Sequence, residues 1–161
     1  GEREADRDNP RGYYEWEAIK GIATDRRLLD EDGLEGKAIK VVSALLKQMP
    51  NQHRYKVIFM TRPIEEVVAS QAKMIARLDS NGSSQDEAAL RQTLGEHRAD
   101  VIRWLEGHPR VEFIQVDYPT LVREPESLVP EIVEFLGDKL RDPGALASVI
   151  DRDLYRNRER G

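Results

Sequence analysis

The sequence predicts an α/β fold built on a parallel sheet, and three observations predict it. Short apolar, β-prone runs alternate along the chain with segments of helical period. The clearest run, residues 55–61, is apolar at nearly every position, as a strand covered on both faces requires. After Arg62-Pro63 the pattern switches at once from strand to helix, the strand–turn–helix step of such folds. A length of 161 residues suits one compact domain spanning 1–161 and is too short for two ordinary ones.

The elements follow in order. Residues 1–12 form a charged lead-in broken by Pro and Gly, and aromatics with Ile at helical spacing predict a short helix over 13–22. The acidic, Gly-containing stretch 30–36 reads as a loop. Residues 38–42 are predicted as a strand, and 43–48 as one or two helical turns before Met49-Pro50. Strand 55–61 comes next. Pro63 then suits the first helical position, and Glu65 and Glu66 suit its positive end. Val67, Val68, Gln71, Met74, Ile75 and Leu78 share one face of that helix. Residues 79–85 predict a mobile loop. A long helix over 86–106 carries Leu90, Leu94, His97, Val101 and Trp104 in one stripe, and Gly107-His108-Pro109 ends it. Residues 111–117 give a third strand, and 121–128, around Pro125, read as a turn. A helix over 126–136 closes at Gly137, another covers 143–150, and 151–161 is an Arg-rich tail.

Composition excludes several classes of function. Asp and Glu number 30 against 25 Lys and Arg, a net charge of −5, which argues against a domain held to nucleic acid by bulk charge. It leaves room for a small anion held by a few placed arginines. With no cysteine there is no disulfide scaffold, thiolate nucleophile or Cys-ligated metal, and His53, His97 and His108 lack metal-ligand spacing. Apolar runs fall far short of the ~20 residues that span a bilayer, and the polar start is no signal peptide. The expectation is a cytoplasmic protein without metal, nucleic-acid partner or membrane span.

The chemistry concentrates in residues 55–70. Ligands of open α/β sheets bind beyond the carboxyl ends of the strands, and a helix N-terminus there favours anions. Arg62 ends the strand with a planar, permanently charged fork suited to phosphate. Ser70 lies about two turns into the helix, where its hydroxyl reaches the same anion if strand and helix fold back on each other.

The segment Lys-Val-Ile-Phe-Met-Thr-Arg-Pro-Ile-Glu-Glu-Val-Val-Ala-Ser-Gln resembles the 3′-phosphate-binding segment of the sulfotransferase family, whose members use 3′-phosphoadenosine-5′-phosphosulfate (PAPS). There an Arg ends the strand and a Ser follows eight positions later, the spacing of Arg62 and Ser70. Gly36 to Pro50 resembles the family's preceding strand and turn, and 9–15 the substrate-side segment of bacterial members. Val116-Asp117-Tyr118 with Pro125, then 132–137, then Leu154 to Arg158, resemble its C-terminal half. The resemblance implies a P-loop-NTPase-like parallel sheet flanked by helices. It also implies roles. Arg62 and Ser70 bind the 3′-phosphate of PAPS, and Arg156 or Arg158 closes over it from the tail. Lys40 stabilises the transferring sulfuryl group. Some members carry a His two residues after that lysine, where this chain has Val42. The general base is then Glu15 first and Glu17 second.

The implied reaction is in-line transfer of a sulfuryl group from PAPS to a hydroxyl or amine of a small-molecule, carbohydrate, lipid or peptide acceptor. Like phosphoryl transfer, it needs alignment and positive charge, which Lys and Arg supply without a metal. The sequence departs from the family at its start, because the Gly-rich 5′-phosphosulfate loop between a strand and a helix is missing. Residues 33–38 lack the spacing and the Ser/Thr of such a loop and precede a strand. The expectation is a domain lacking its N-terminal strand–loop–helix through truncation. Complementation by a second chain and a non-catalytic sulfotransferase-like remnant or interaction module are the alternatives. An open sheet edge at that place invites a homodimer. A nucleotide kinase is disfavoured for want of the same loop.

Overall fold

The structure of the chain is a computed structural model that describes residues 17–25, 27, 35–78, 86–137, 142–152 and 155. Contacts divide the chain into two units, one of residues 1–55 with 107–110 and one of 56–106 with 111–161.

In the first unit a 3₁₀ turn, Glu17–Gly21, buries Ile19, and Ile22 follows fully enclosed. A second 3₁₀ segment, Ser43–Gln48, buries Leu46 and leads into buried Met49 and Pro50. Pro50 stops the helical turn, and its carbonyl accepts the Tyr55 hydroxyl at 2.8 Å. The Tyr55 N–H donates to Arg110 O at 2.9 Å, so the chain entering the first strand meets the chain entering the second.

The second unit holds the regular elements. Strand β1, Tyr55–Thr61, pairs with β2, Val111–Asp117, in a small two-stranded parallel sheet. Its direction is visible in two bonds: Tyr55 N–H to Arg110 O at one end, and the Thr61 hydroxyl to Val116 O, 3.3 Å, at the other. Helix α1, Ile64–Leu78, begins directly after Pro63, whose carbonyl accepts the N–H groups of Glu66 and Val67. Helix α2, Glu87–Gly107, is capped by Asp86, whose Oδ1 accepts the Ala88 N–H at 2.9 Å. Val101 and Leu105 of α2 are enclosed, as are Val68 of α1 and Val116 of β2. Helices α3, Tyr118–Arg123, and α4, Pro125–Leu136, both pack on β2, and α5, Pro143–Ser148, packs on α4. Lys56 of β1 donates to Phe135 O and lies 5.3 Å from the Phe135 ring, fixing the end of α4 to the sheet. Among the described residues no helix is long and apolar enough to cross a membrane.

The architecture is therefore α/β, as the alternating pattern requires, with two corrections. Residues 38–42 form no strand. Val42 has extended backbone, but no described strand pairs with this stretch, and β-prone residues make a strand only against a neighbour. Residues 121–128 are not a turn. Asp117 accepts the Thr120 N–H at 2.9 Å and its hydroxyl at 2.7 Å, and this cap starts α3 as soon as β2 ends. Only Glu124, at φ −135° and ψ 57°, interrupts the helical path before α4. The start of the helix predicted over 13–22, the loop at 79–85 and most of the tail lie outside the described residues.

Candidate functional site

Two parallel strands that end together deliver the residues after them to one place. Arg62 is the first residue after β1, and Tyr118 the first after β2. This is the carboxyl edge of the sheet, where α/β folds place ligands. The Thr61–Val116 bond ties the two strand ends together.

Arg62 does not extend freely from that edge. Its Nε and Nη2 donate to Glu66 Oε2 at 3.2 and 2.8 Å, an i,i+4 pair across the first turn of α1. The Arg62 side chain is 26% exposed and that of Glu66 only 4%. A carboxylate so enclosed requires partners for both oxygens. Oε1 accepts the Tyr155 hydroxyl at 2.5 Å, a contact between residues 89 positions apart. The Tyr155 ring meets Tyr118 edge-on, with centroids 5.4 Å apart and planes at 88°. The Arg62 guanidinium carbon lies 5.6 Å from the Tyr118 centroid and 5.8 Å from that of Tyr155, within cation–π range. Burial pushes the Tyr155 phenol up to about 12, helped by its bond to Glu66 and by the negative charge there, while Arg62 and Arg123 pull the other way. At neutral pH Tyr155 is thus a fixed hydrogen-bond donor.

Ser70 lies four residues beyond Glu66, one turn and ~6 Å further along the same flank of α1. It is half-buried, and its hydroxyl makes no hydrogen bond among the described residues. Arg62 Nη1 likewise donates to none of them.

The structure thus brings Arg62 together with Glu66, Tyr118 and Tyr155, and sets Ser70 on the same helical flank. Lys40 is exposed in the irregular stretch before Ser43–Gln48, in the first unit, instead of on a strand. Glu17 opens the first 3₁₀ turn. Glu15, Arg156 and Arg158 lie outside the described residues. Sequence reasoning assigned Glu66 only to the helix dipole. Its spacing of four from Arg62 was the available signal for the ion pair, whereas no local signal links Tyr155 to residue 66. No group of three or more His or acidic side chains among the described residues is arranged to hold a metal ion.

The model of one protein family, described as the sulfotransferase family, matches residues 13–142, most of the chain and all of β1, α1, α2 and β2. The chain belongs to the sulfotransferase family. The family's reaction class is sulfuryl transfer, so membership implies a transferase. Neither the curated proteins nor the solved structures gave a match.

Proposed function

We propose that this chain takes its sulfuryl group from PAPS and that the β1–α1 corner holds the 3′-phosphate of that donor. On this reading the two-stranded parallel sheet is part of a P-loop-NTPase-like domain covering 1–161. The observation that carries it is the state of the two predicted ligands. Arg62 stands at the carboxyl edge of the sheet with its Nη1 edge uncommitted among the described residues. The Ser70 hydroxyl is likewise unengaged among them, further along the same flank.

Charge decides what else the site needs. Glu66 cancels the charge of Arg62, so a phosphate requires further cations. Arg156 and Arg158 suit that role, because the residue before them, Tyr155, docks on Glu66. Lys40 is the candidate for charge stabilisation at the sulfuryl group. Glu15, with Glu17 behind it, is the candidate base for the acceptor proton. PAPS supplies the activated sulfuryl group, and the acceptor presents a hydroxyl or an amine.

Adenosine 3′,5′-bisphosphate tests the reading against AMP, which lacks the 3′-phosphate. At a hundredfold excess over Kd a ligand stabilises the fold by ~2.7 kcal/mol. For a chain of this size that is a rise in Tm of about 5–11 °C. The bisphosphate is expected to reach it, with AMP far behind, and Arg62→Ala and Ser70→Ala are each expected to shrink the difference. Equal shifts with the two nucleotides would remove the 3′-phosphate site.

One observation favours a second reading, a non-catalytic sulfotransferase-like module: Arg62 already has a partner in Glu66. Release of adenosine 3′,5′-bisphosphate from PAPS in the presence of mixed hydroxyl and amine acceptors separates the two, since the module gives no turnover.

A further inference from the structure

An arginine beside a buried carboxylate and two aromatic rings has few places to go. Glu66 Oε2 takes Nε and Nη2 from one side. Tyr118 and Tyr155 bound the guanidinium at 5.6 and 5.8 Å. Glu66 is itself held, because its other oxygen accepts from Tyr155, which is 8% exposed and packed edge-on to Tyr118. The chain of contacts runs from the tail through a carboxylate to the cation. What it leaves open among the described residues is one edge of the fork, Nη1. An anion meeting that edge does not have to immobilise a long, rotamer-rich side chain, so the cost of ordering falls outside the binding step.

We infer that Glu66 and Tyr155 are positioning residues for Arg62, so that docking of the tail through Tyr155 sets the preference of the site for a nucleotide carrying a 3′-phosphate. This rests on the reading of the corner as the donor's phosphate site. Neither residue touches the ligand; each acts through the guanidinium. The arrangement separates two roles that one side chain would otherwise combine. Arg62 supplies the charge and the donors, and Tyr155 supplies the constraint.

The test is a double-mutant cycle read by titration calorimetry on the chain, with adenosine 3′,5′-bisphosphate and AMP as ligands. Tyr155→Phe keeps the ring and removes the hydroxyl. It is expected to weaken the bisphosphate about tenfold, ~1.4 kcal/mol, and to change AMP less than twofold. In an Arg62→Ala background the same change is expected to cost less than twofold, because the residue it acts through is gone. Glu66→Asp shortens the carboxylate's reach and is expected to repeat the pattern, and it serves where Tyr155→Phe fails to fold. Two outcomes overturn the inference alone: Tyr155→Phe leaves bisphosphate affinity unchanged while Arg62→Ala reduces it, or the Tyr155→Phe loss persists in full without Arg62. If Arg62→Ala itself leaves bisphosphate affinity unchanged, the phosphate-site reading falls first and this inference with it.

Discussion

Replacing Tyr155 by Phe keeps the ring that meets Tyr118 and Arg62 and deletes only the hydroxyl that donates to Glu66 Oε1 at 2.5 Å. Glu66 is buried, so water does not readily replace the lost donor. A hydrogen bond to a charged group contributes ~1.5–3 kcal/mol, and that is the expected loss of stability at pH 7. In a chain of this size it lowers Tm by about 3–12 °C. Tyr118→Phe is the control. The Tyr118 hydroxyl makes no hydrogen bond among the described residues, and its removal is expected to stay within ~0.5 kcal/mol. Urea denaturation of both variants measures the difference. Alkali adds a second readout. The folded phenol titrates near 12, against about 10 in the unfolded chain. Between those values the native state still holds a proton that the unfolded state has released. The stability is therefore present in full below pH 10 and is lost as pH rises to about 12. Tyr155→Phe has no such group, so its gap to the wild type closes across that window. A Tyr155→Phe variant as stable as Tyr118→Phe, or a gap that stays constant to pH 12, would refute the reasoning.

Asp117→Ala removes the cap that starts α3, where Thr120 donates through both N–H and hydroxyl, and is expected to cost ~0.5–2 kcal/mol in chemical denaturation. Two glycines are expected to move stability in opposite directions in the same assay. Gly137 ends α4 at φ 58° and ψ −138°, so Gly137→Ala is expected to destabilise by ~1–3 kcal/mol. Gly95 lies inside α2, where an added Cβ meets, among the described residues, only Ile64 Cδ1 at 3.9 Å, so Gly95→Ala is expected to stabilise by ~0.5–1 kcal/mol.

What could be read from the sequence was what neighbouring residues decide. The apolar run of β1, Pro63 at the head of α1, Asp86 before α2 and Gly137 after α4 each act within a few positions of themselves. Residues 38–42 show the limit. Their sequence has strand character and Val42 has extended backbone, yet a strand exists only when another strand lies beside it. Helix α3 was missed for a different reason. Asp117 is at once the last residue of β2 and the cap of the next helix, and the strand pattern hid the cap. In the candidate site, the sequence singles out Arg62 by its place at a strand's end and Ser70 by its spacing of eight from it. The hydroxyl that completes the Glu66 pair comes from 89 residues away, and no periodicity or propensity records such a contact.

A carboxylate beside the proposed anion site looks like a contradiction, and the charges of the neighbouring residues bear on it. Alone, the Arg62–Glu66 pair carries no net charge, so it offers a phosphate little net electrostatic attraction. A phosphate monoester carries about −1.5 to −2 at neutral pH. Arg156 and Arg158 would add two positive charges, which matches it, and Tyr155 immediately before them is the residue docked on Glu66. Glu66 then does two things that an apolar residue there would not do. It orients the arginine fork, and it gives the tail a specific place to attach. On that proposal, a corner that becomes cationic only with Arg156 and Arg158 nearby would bind its anion through the strand-end arginine and the C-terminal segment together.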